Sequence, residues 1–137
     1  RRQRQMCIRD SLYDVGYEEI VQCYQRCDIV SFPSVYEGFG VPILEANAAG
    51  RPIIAGDIPV LHEVANDAAC FVNPYSVDSI LSLIHISDSI RSGFVKVIEH
   101  DEYREELVAK GLKNIERFSP KAIAEKYNEV YKELSDE

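Results

Sequence analysis

Apolar residues follow two spacings along the chain, short β-favouring runs and longer stretches with helical periodicity. The short runs lie at Asp28–Phe32, Pro52–Ala55 and Ala69–Val72, and continuous apolar runs of this length are typical of parallel strands covered on both faces. Helices are predicted at Tyr17–Arg26, Pro42–Ala49 and Pro59–Ala65. Strands that alternate with helices through short loops predict a doubly wound α/β fold with a parallel sheet.

The ends of the predicted helices contain residues that suit them. Pro42 suits the first turn of its helix, and Gly50 suits the position just past the helix end. In the first predicted helix, Ile20, Val21 and Tyr24 lie on one face, which is the spacing of a helix that packs on a core.

The C-terminal third of the chain predicts two further amphipathic helices. The first runs over Glu102–Glu116, and its inward-facing residues are predicted to be Leu107, Val108, Leu112 and Ile115. Ser119 and Pro120 form an N-cap and first-turn pair for the second, which runs to about Leu134. Its apolar side is predicted to consist of Ile123, Tyr127, Val130, Tyr131 and Leu134.

One segment interrupts the helical pattern between these regions. The tripeptide Asp78-Ser79-Ile80 recurs as Asp88-Ser89-Ile90. Removal of Leu81–Ile90 joins the flanking sequence into an amphipathic helix, whose apolar residues are Val77, Ile80, Phe94, Val97 and Ile98. We therefore interpret Leu81–Ile90 as an insertion.

Length and composition predict one globular domain. A chain of 137 residues is long enough to bury roughly two-thirds of its unfolded surface. Residues 1–11 have no hydrophobic periodicity and are interpreted as a foreign or disordered leader, which leaves 12–137 as the domain. No apolar run approaches the length that a transmembrane helix needs.

Charge argues against two classes of partner. The net charge is -8 and the isoelectric point is near 4.9. Nucleic acids and anionic lipid surfaces are bound through concentrated lysine and arginine side chains. We therefore expect neither as a partner.

The four cysteines predict no metal site. Cys7, Cys23, Cys27 and Cys70 are scattered, and only Cys23 and Cys27 are close enough on a predicted helix to be neighbours. No matching histidine or cysteine pair completes a zinc site. We expect buried free thiols in a reducing cytoplasm.

Candidate chemistry concentrates where the first predicted strand meets the next helix. Gly38 and Gly40 allow a sharp turn, and a helix that starts there directs unpaired N–H groups and a partial positive charge into the crevice above the sheet. This geometry predicts an anion site, most naturally for phosphate. Glu37 and Glu45 border the same crevice, and we interpret them as acceptors of hydrogen bonds from sugar or ribose hydroxyls.

The segment Tyr36-Glu37-Gly38-Phe39-Gly40-Val41-Pro42-Ile43-Leu44-Glu45-Ala46 closely resembles the donor-site motif of the family-four glycosyltransferases of GT-B fold. The resemblance covers roughly Leu12–Leu134, apart from the interruption, and includes Ala49-Gly50-Arg51-Pro52 and Asn73-Pro74. It implies that the chain is the C-terminal, donor-binding half of a GT-B fold, Rossmann-like and truncated at its N-terminus.

The resemblance also implies a role for each residue of the motif. Glu37 would contact hydroxyls of the donor sugar and orient it, so that it is catalytic in this loose sense and not as a nucleophile. Glu45 would bind the ribose. The other implied donor-binding positions are Gly38, Phe39, Gly40, Val41 and Leu44.

The implied activity is transfer of a sugar from a nucleoside-diphosphate sugar to a growing glycan, as in polysaccharide biosynthesis, with retention of configuration. No cofactor and no metal are implied. A glycan or lipid-linked glycan acceptor would bind to a missing N-terminal domain. The resemblance further implies a cytoplasmic location, either free or at the inner face of the membrane, and a chain that is inactive alone.

Three alternatives stay open. A nucleotide-sugar epimerase of similar fold needs acid/base residues, for which His62 is the candidate, but no carboxylate accompanies it at a recognisable spacing. A non-enzymatic α/β module such as a receiver domain needs clustered acidic residues at strand ends, where only Asp57 is suitably placed. The motif could also be an ordinary strand-to-helix turn with solvated glutamates.

Overall fold

The structure is a computed structural model that describes residues 14–75 and 88–135. Its elements are α1 (Tyr17–Arg26), β1 (Val30–Phe32), α2 (Val41–Ala48), β2 (Ile53–Gly56), α3 (Pro59–Ala65), β3 (Cys70–Val72), α4 (Asp88–Glu99), α5 (Asp101–Asn114), a 3₁₀ helix (Ile115–Phe118) and α6 (Pro120–Ser135). The predicted leader at 1–11, Cys7, Val77, Ile80 and residues 81–87 of the interpreted insertion lie outside the described residues.

The three strands form one parallel sheet in the order β1-β2-β3. Val30 of β1 pairs with Ile53 of β2, and Ile54 pairs with Cys70 of β3. All four residues of the central strand β2 are buried, as the continuous apolar run predicted. Each strand begins slightly later than the sequence pattern indicated.

Alternate residues of β2 face opposite helical layers. Ile53 and Ala55 pack against the buried residues of α2 and against Leu61 of α3. Ile54 packs on the other face, with Val97 of α4 and with α5. Helices therefore cover both faces of the sheet, and the predicted doubly wound α/β architecture is confirmed.

The inward face of α5 differs from the predicted one. Leu107 is buried as predicted, but Leu112 is 47% exposed. Gly111 and Asn114 are buried instead. At residue 111 only glycine allows the two helices to come this close, because a Cβ atom there would lie 2.7 Å from Asn47 Nδ2 of α2. The apolar spacing wrongly predicted that Leu112 faces the core. The residues of α5 that contact α2 are instead a glycine and a polar amide, which an apolar pattern does not detect.

Two buried asparagines join α5 to the helices on the first face of the sheet. Asn114 Nδ2 donates hydrogen bonds to Asn47 Oδ1 at 3.1 Å and to the Val64 carbonyl at 2.9 Å. Arg117 Nη1 donates to Asn114 Oδ1 at 2.7 Å. Since a buried polar group costs free energy unless it is paired, these bonds fix the position of α5.

The second copy of the repeated tripeptide forms the start of α4. Ile90 packs against the buried residues of that face, and Ser89 Oγ accepts a hydrogen bond from the backbone N–H of Asn73 at 2.8 Å. Deletion of residues 78–87 leaves the same sequence as deletion of 81–90. The interpreted insertion can therefore be placed at 78–87, which leaves α4 whole.

The last helix, α6, ends close to the predicted position and exposes its apolar side. Ser119 Oγ accepts a hydrogen bond from the backbone N–H of Ala122 at 3.2 Å, so the predicted N-cap is confirmed. Tyr131 and Leu134 are each 65% exposed, and the helix has no buried residue. Within residues 14–75 and 88–135, no helix is long and apolar enough to span a membrane.

The expectation of buried thiols holds for only one of the described cysteines. Cys23, Cys27 and Cys70 are all free, and Cys70 is buried. Cys27 is half-buried and its Sγ donates to the Tyr24 carbonyl at 3.3 Å, while burial raises the pKa of its thiol. Cys23 is exposed, so the expectation is wrong there.

We predict that loss of the Asn114 side-chain amide lowers the stability of the fold. Asn114→Ala leaves the buried Asn47 Oδ1 without its donor, and we expect the free energy of unfolding in urea to fall by about 1–3 kcal/mol. Asn128→Ala, at an exposed position of α6, is the matched control and should change it by less than about 0.5 kcal/mol. Equal effects of the two substitutions would contradict a structural role for the buried amides.

Candidate functional site

The segments that follow the three strands lie together at the carboxyl edge of the sheet. The backbone of Gly56 approaches the segment after β1 so closely that a Cβ atom at Gly56 would lie 2.1 Å from the Ser34 carbonyl oxygen. From the segment after β3, the Tyr75 hydroxyl donates to the Val35 carbonyl at 3.0 Å. The edge is therefore held by contacts across all three strand ends.

Gly40 shapes the turn from β1 into α2. Its φ of 93° is in the left-handed region, which a residue with a side chain rarely adopts. A Cβ atom there would also lie 2.5 Å from Leu61 Cδ2 of α3. The turn fixes the start of α2 at Val41, with Pro42 in its first turn.

Backbone N–H groups at the N-terminus of α2 have no partner in the described part of the chain. Among residues 14–75 and 88–135, no acceptor pairs with the N–H groups of Gly38, Phe39, Gly40 or Val41, and three of these residues are exposed to solvent. The dipole of the eight-residue helix adds a partial positive charge at the same place. This is the geometry that binds a phosphate or another anion.

Glu37 lies half-buried in the same turn. Ser34 Oγ lies 2.8 Å from Glu37 Oε1 and 3.1 Å from the Tyr36 carbonyl oxygen, and its single proton can be donated to only one of them at a time. Among the residues that the structure describes, Glu37 Oε2 has no donor. This oxygen can accept a hydrogen bond from a ligand hydroxyl.

Glu45 faces α1 from the second turn of α2. The Tyr24 hydroxyl donates to Glu45 Oε2 at 2.7 Å. Burial raises the pKa of the Tyr24 phenol, and the hydrogen bond and negative charge of Glu45 raise it further. A groove of about 360 Å³ lies between the two helices and is lined by both of these residues and by Leu44.

The predicted site residues therefore form two groups. Glu37 and the amides of Gly38–Val41 lie in the turn, whereas Leu44 and Glu45 line the groove beside α1. The Phe39 side chain packs edge-on against Phe118, with ring centroids 5.9 Å apart. The Phe39 ring therefore has a packing partner within the chain, while its backbone N–H is one of the N–H groups without a partner among the described residues.

Tyr24 contacts the predicted site residue Glu45, and the sequence pattern did not identify this contact. Its spacing with Ile20 and Val21 indicated only the packed face of α1. The hydrogen bond joins residues 21 positions apart, and no local spacing encodes such a contact. The sequence indicates the contact only through the Tyr24 hydroxyl, which is a polar group on a helix face that is otherwise predicted to be apolar.

His62 has a carboxylate partner, contrary to the expectation from spacing. His62 Nε2 lies 2.6 Å from Asp57 Oδ1, and both side chains are about half exposed. The imidazole ring stacks on Phe71 with centroids 3.7 Å apart. Asp57 follows β2 and His62 lies in the middle of α3, so the short segment between them brings the two side chains together.

No metal centre is evident in residues 14–75 and 88–135. No three or more histidine, cysteine, aspartate or glutamate side chains in these ranges are grouped so that they could hold an ion.

A family model matches most of the chain. The model is that of the glycosyl transferases group 1, and it matches residues 11–107. The matched region contains the three strands of the sheet and the turn from β1 into α2.

Curated relatives are similar over part of their own length. The chain is 35% identical to O-antigen chain mannosyltransferase B of Escherichia coli over 77% of its residues, which is 26% of that protein. It is 43% identical over 46% of its residues to O-antigen chain mannosyltransferase RfbU of Salmonella typhimurium, which is 18% of that protein. The matches therefore span about a quarter or less of these two relatives.

A solved structure has the same fold. Sucrose-phosphate synthase from Thermosynechococcus elongatus superimposes with a TM-score of 0.68 over 89% of this chain and 29% of that one, at 21% sequence identity. At this identity the likeness concerns the fold alone.

We predict that alanine substitutions at the two glycines of this turn have different effects on stability. Gly40→Ala forces a side chain into the left-handed region and against Leu61, and we expect the free energy of unfolding to fall by about 1–3 kcal/mol. Gly38→Ala is the matched control, because a Cβ atom there would have no other atom within 4 Å and the φ of Gly38 is not positive. It should leave stability unchanged or raise it by less than about 1 kcal/mol. Urea denaturation measures both, and equal losses would contradict the assigned role of Gly40.

Proposed function

The chain belongs to the group 1 glycosyl transferases, and we propose that it is the donor-binding part of an enzyme that transfers a sugar from a nucleoside-diphosphate sugar to a growing glycan. The central observation is the set of N–H groups at the N-terminus of α2 that have no partner among the described residues, with Glu37 in the same turn and Glu45 in the second turn of the helix. The similarity to two O-antigen chain mannosyltransferases supports a hexose as the sugar and a polysaccharide as the product.

The amides of Gly38–Val41 receive the diphosphate of the donor in this proposal. They point from the start of α2, where the helix dipole favours negative charge. As the bond from the anomeric carbon to the diphosphate oxygen breaks, negative charge grows on the departing diphosphate. Donors that are already aimed at that position stabilise the transition state more than the ground state. The nucleoside-diphosphate sugar is a substrate, and the proposal includes no cofactor and no metal.

Glu37 and Glu45 bind hydroxyl groups at the two ends of the donor. Glu37 Oε2 accepts from the donor sugar, while Ser34 holds the other carboxylate oxygen at 2.8 Å. Glu45 accepts from the ribose, and the backbone of Leu44 lies near the phosphates. Glu37 therefore orients the sugar and is not a nucleophile, which suits transfer with retention of configuration.

The acceptor is proposed to bind elsewhere in a longer enzyme. The chain covers about a quarter or less of the two mannosyltransferases, and the apolar side of α6 is exposed at Tyr127, Tyr131 and Leu134. An apolar stripe of this kind packs against another surface when one is available. We infer that the surface is an acceptor-binding domain, which holds a glycan or a lipid-linked glycan.

The enzyme is proposed to work in the cytoplasm, free or at the inner face of the membrane. The three free cysteines of the described residues support a reducing compartment. The net charge of -8 argues against electrostatic attachment of this part to anionic lipid.

The Asp57–His62 pair favours a second candidate, a nucleotide-sugar epimerase. A carboxylate that holds a histidine at 2.6 Å is an arrangement that can serve proton transfer. The two candidates differ in product, because an epimerase returns a changed nucleotide sugar and a transferase consumes it. Family membership sets the receiver-domain alternative aside.

Saturation-transfer NMR of the full chain with UDP-, GDP- and ADP-sugars tests the proposed site. We expect one nucleotide to give contacts on both ribose and sugar protons. Glu45→Ala should remove the ribose contacts and Glu37→Ala the sugar contacts, since each removes the acceptor for that group. Glu129→Ala, at an exposed position of α6, is the control and should change neither. A folded chain that binds none of these sugars would contradict the proposal, as would equal effects of all three substitutions.

A further inference from the structure

We propose that Tyr24 of α1 is a positioning residue, which holds the Glu45 carboxylate in the orientation that accepts a hydrogen bond from the donor ribose. This inference rests on the proposed function, in which Glu45 binds the ribose. It makes α1, a helix outside the motif, a necessary part of the nucleotide site.

The geometry of the contact is that of a strong hydrogen bond. The Tyr24 hydroxyl lies 2.7 Å from Glu45 Oε2, and a hydroxyl that donates to a carboxylate forms one of the stronger hydrogen bonds in proteins. The Tyr24 ring is half-buried and packs against the core beneath α2 and α3. Because the ring is held by packing, its hydroxyl has a fixed position from which to hold Glu45.

Helix α1 is itself anchored on the side of α2. Arg51, in the loop after α2, donates a hydrogen bond from its guanidinium to the Gln25 carbonyl. Tyr24 and Gln25 are neighbours at the C-terminal end of α1, so the side-chain contact to Glu45 and the backbone contact to Arg51 hold the same turn. The phenol is thus placed by two helices and one loop together.

One carboxylate oxygen stays available while the other is held. Tyr24 pairs with Oε2, and within the described residues no donor pairs with Glu45 Oε1. A glutamate side chain loses rotational freedom when it binds a ligand, and a side chain that is already ordered loses less. Tyr24 therefore favours ribose binding by ordering Glu45 beforehand, without contact to the ligand.

The space beside Glu45 is open to a ligand. The groove of about 360 Å³ is bounded by α1 on one side and α2 on the other. Tyr17 lines the same groove but is 75% exposed, and no described contact joins it to Glu45. Tyr17 is therefore a matched control for Tyr24, with the same side chain on the same helix.

Ionisation of the phenol gives a readout that does not depend on a ligand. The pKa of Tyr24 is raised above its ordinary value first by burial and then by the Glu45 carboxylate. Glu45→Gln removes the negative charge and leaves the burial, so the pKa of Tyr24 should fall part of the way. In Cζ-labelled protein at alkaline pH, Tyr24 should be more ionised in the variant than in the wild type. An unchanged Tyr24 resonance would overturn the contact on which the inference stands.

Calorimetric binding of UDP, GDP and ADP to the full chain, each beside its 2′,3′-dideoxy analogue, tests the positioning role. For the nucleotide that binds, Tyr24→Phe should weaken affinity about three- to tenfold, because the Glu45 side chain must then be ordered on binding. It should change affinity for the dideoxy analogue by less than about twofold, because that ligand has no hydroxyl for Glu45 to accept from. Tyr17→Phe should leave both affinities unchanged.

The outcomes separate this inference from the proposed function. If Glu45→Ala weakens binding and Tyr24→Phe does not, the positioning role is overturned and the donor site stands. An equal loss for the ribose and dideoxy ligands in Tyr24→Phe would assign a general structural role and would also overturn it. If no nucleotide binds, or if Glu45→Ala has no effect, the proposed function fails and the inference fails with it.

Discussion

The contact between Gly56 and the Ser34 carbonyl is the constraint on which the carboxyl edge of the sheet depends. A methyl group at Gly56 would overlap the Ser34 backbone, since its carbon would lie 2.1 Å from the carbonyl oxygen. The chain that leaves β1 can therefore pass directly beside the end of β2. In the same way, a Cβ atom at Gly40 would lie only 2.5 Å from Leu61 Cδ2 of α3. The absence of a side chain at Gly56 and at Gly40 thus allows the close packing that sets where α2 begins.

The electrostatics of the site follow from that placement. The N-terminus of α2 offers N–H groups and a partial positive charge, while Glu37 is a negative group in the same turn and Glu45 is one in the groove beside α1. Each carboxylate has one oxygen paired with a hydroxyl of the protein, from Ser34 and from Tyr24. The paired oxygens hold the carboxylates in place, and the other oxygens stay available to hydroxyl groups of a ligand. A ligand that contains both an anionic group and hydroxyl groups suits this set of donors and acceptors.

Local chemistry made much of the fold predictable from sequence. Buried apolar runs located the strands, and Pro42, Gly50 and Ser119 marked helix ends through their own backbone preferences. The glycines of the motif located the turn in the same way, since Gly40 adopts a positive φ there. What the sequence could not provide are contacts between distant segments. The inward face of α5 depends on Gly111 against Asn47, and the partner of Glu45 lies on another helix. Both are decided by how helices pack, and neither leaves a periodic signal.

Amide chemical shifts of the full chain, recorded as a nucleoside diphosphate is added, show whether the N-terminus of α2 binds the diphosphate. If the N-terminus of α2 binds the diphosphate, the N–H resonances of Gly38, Phe39, Gly40 and Val41 should shift together and saturate with one dissociation constant. The N–H groups of α3, whose N-terminus also lies at this edge of the sheet, should shift less. Larger shifts in α3 than in these four residues, or no saturable shift in either helix, would contradict the account.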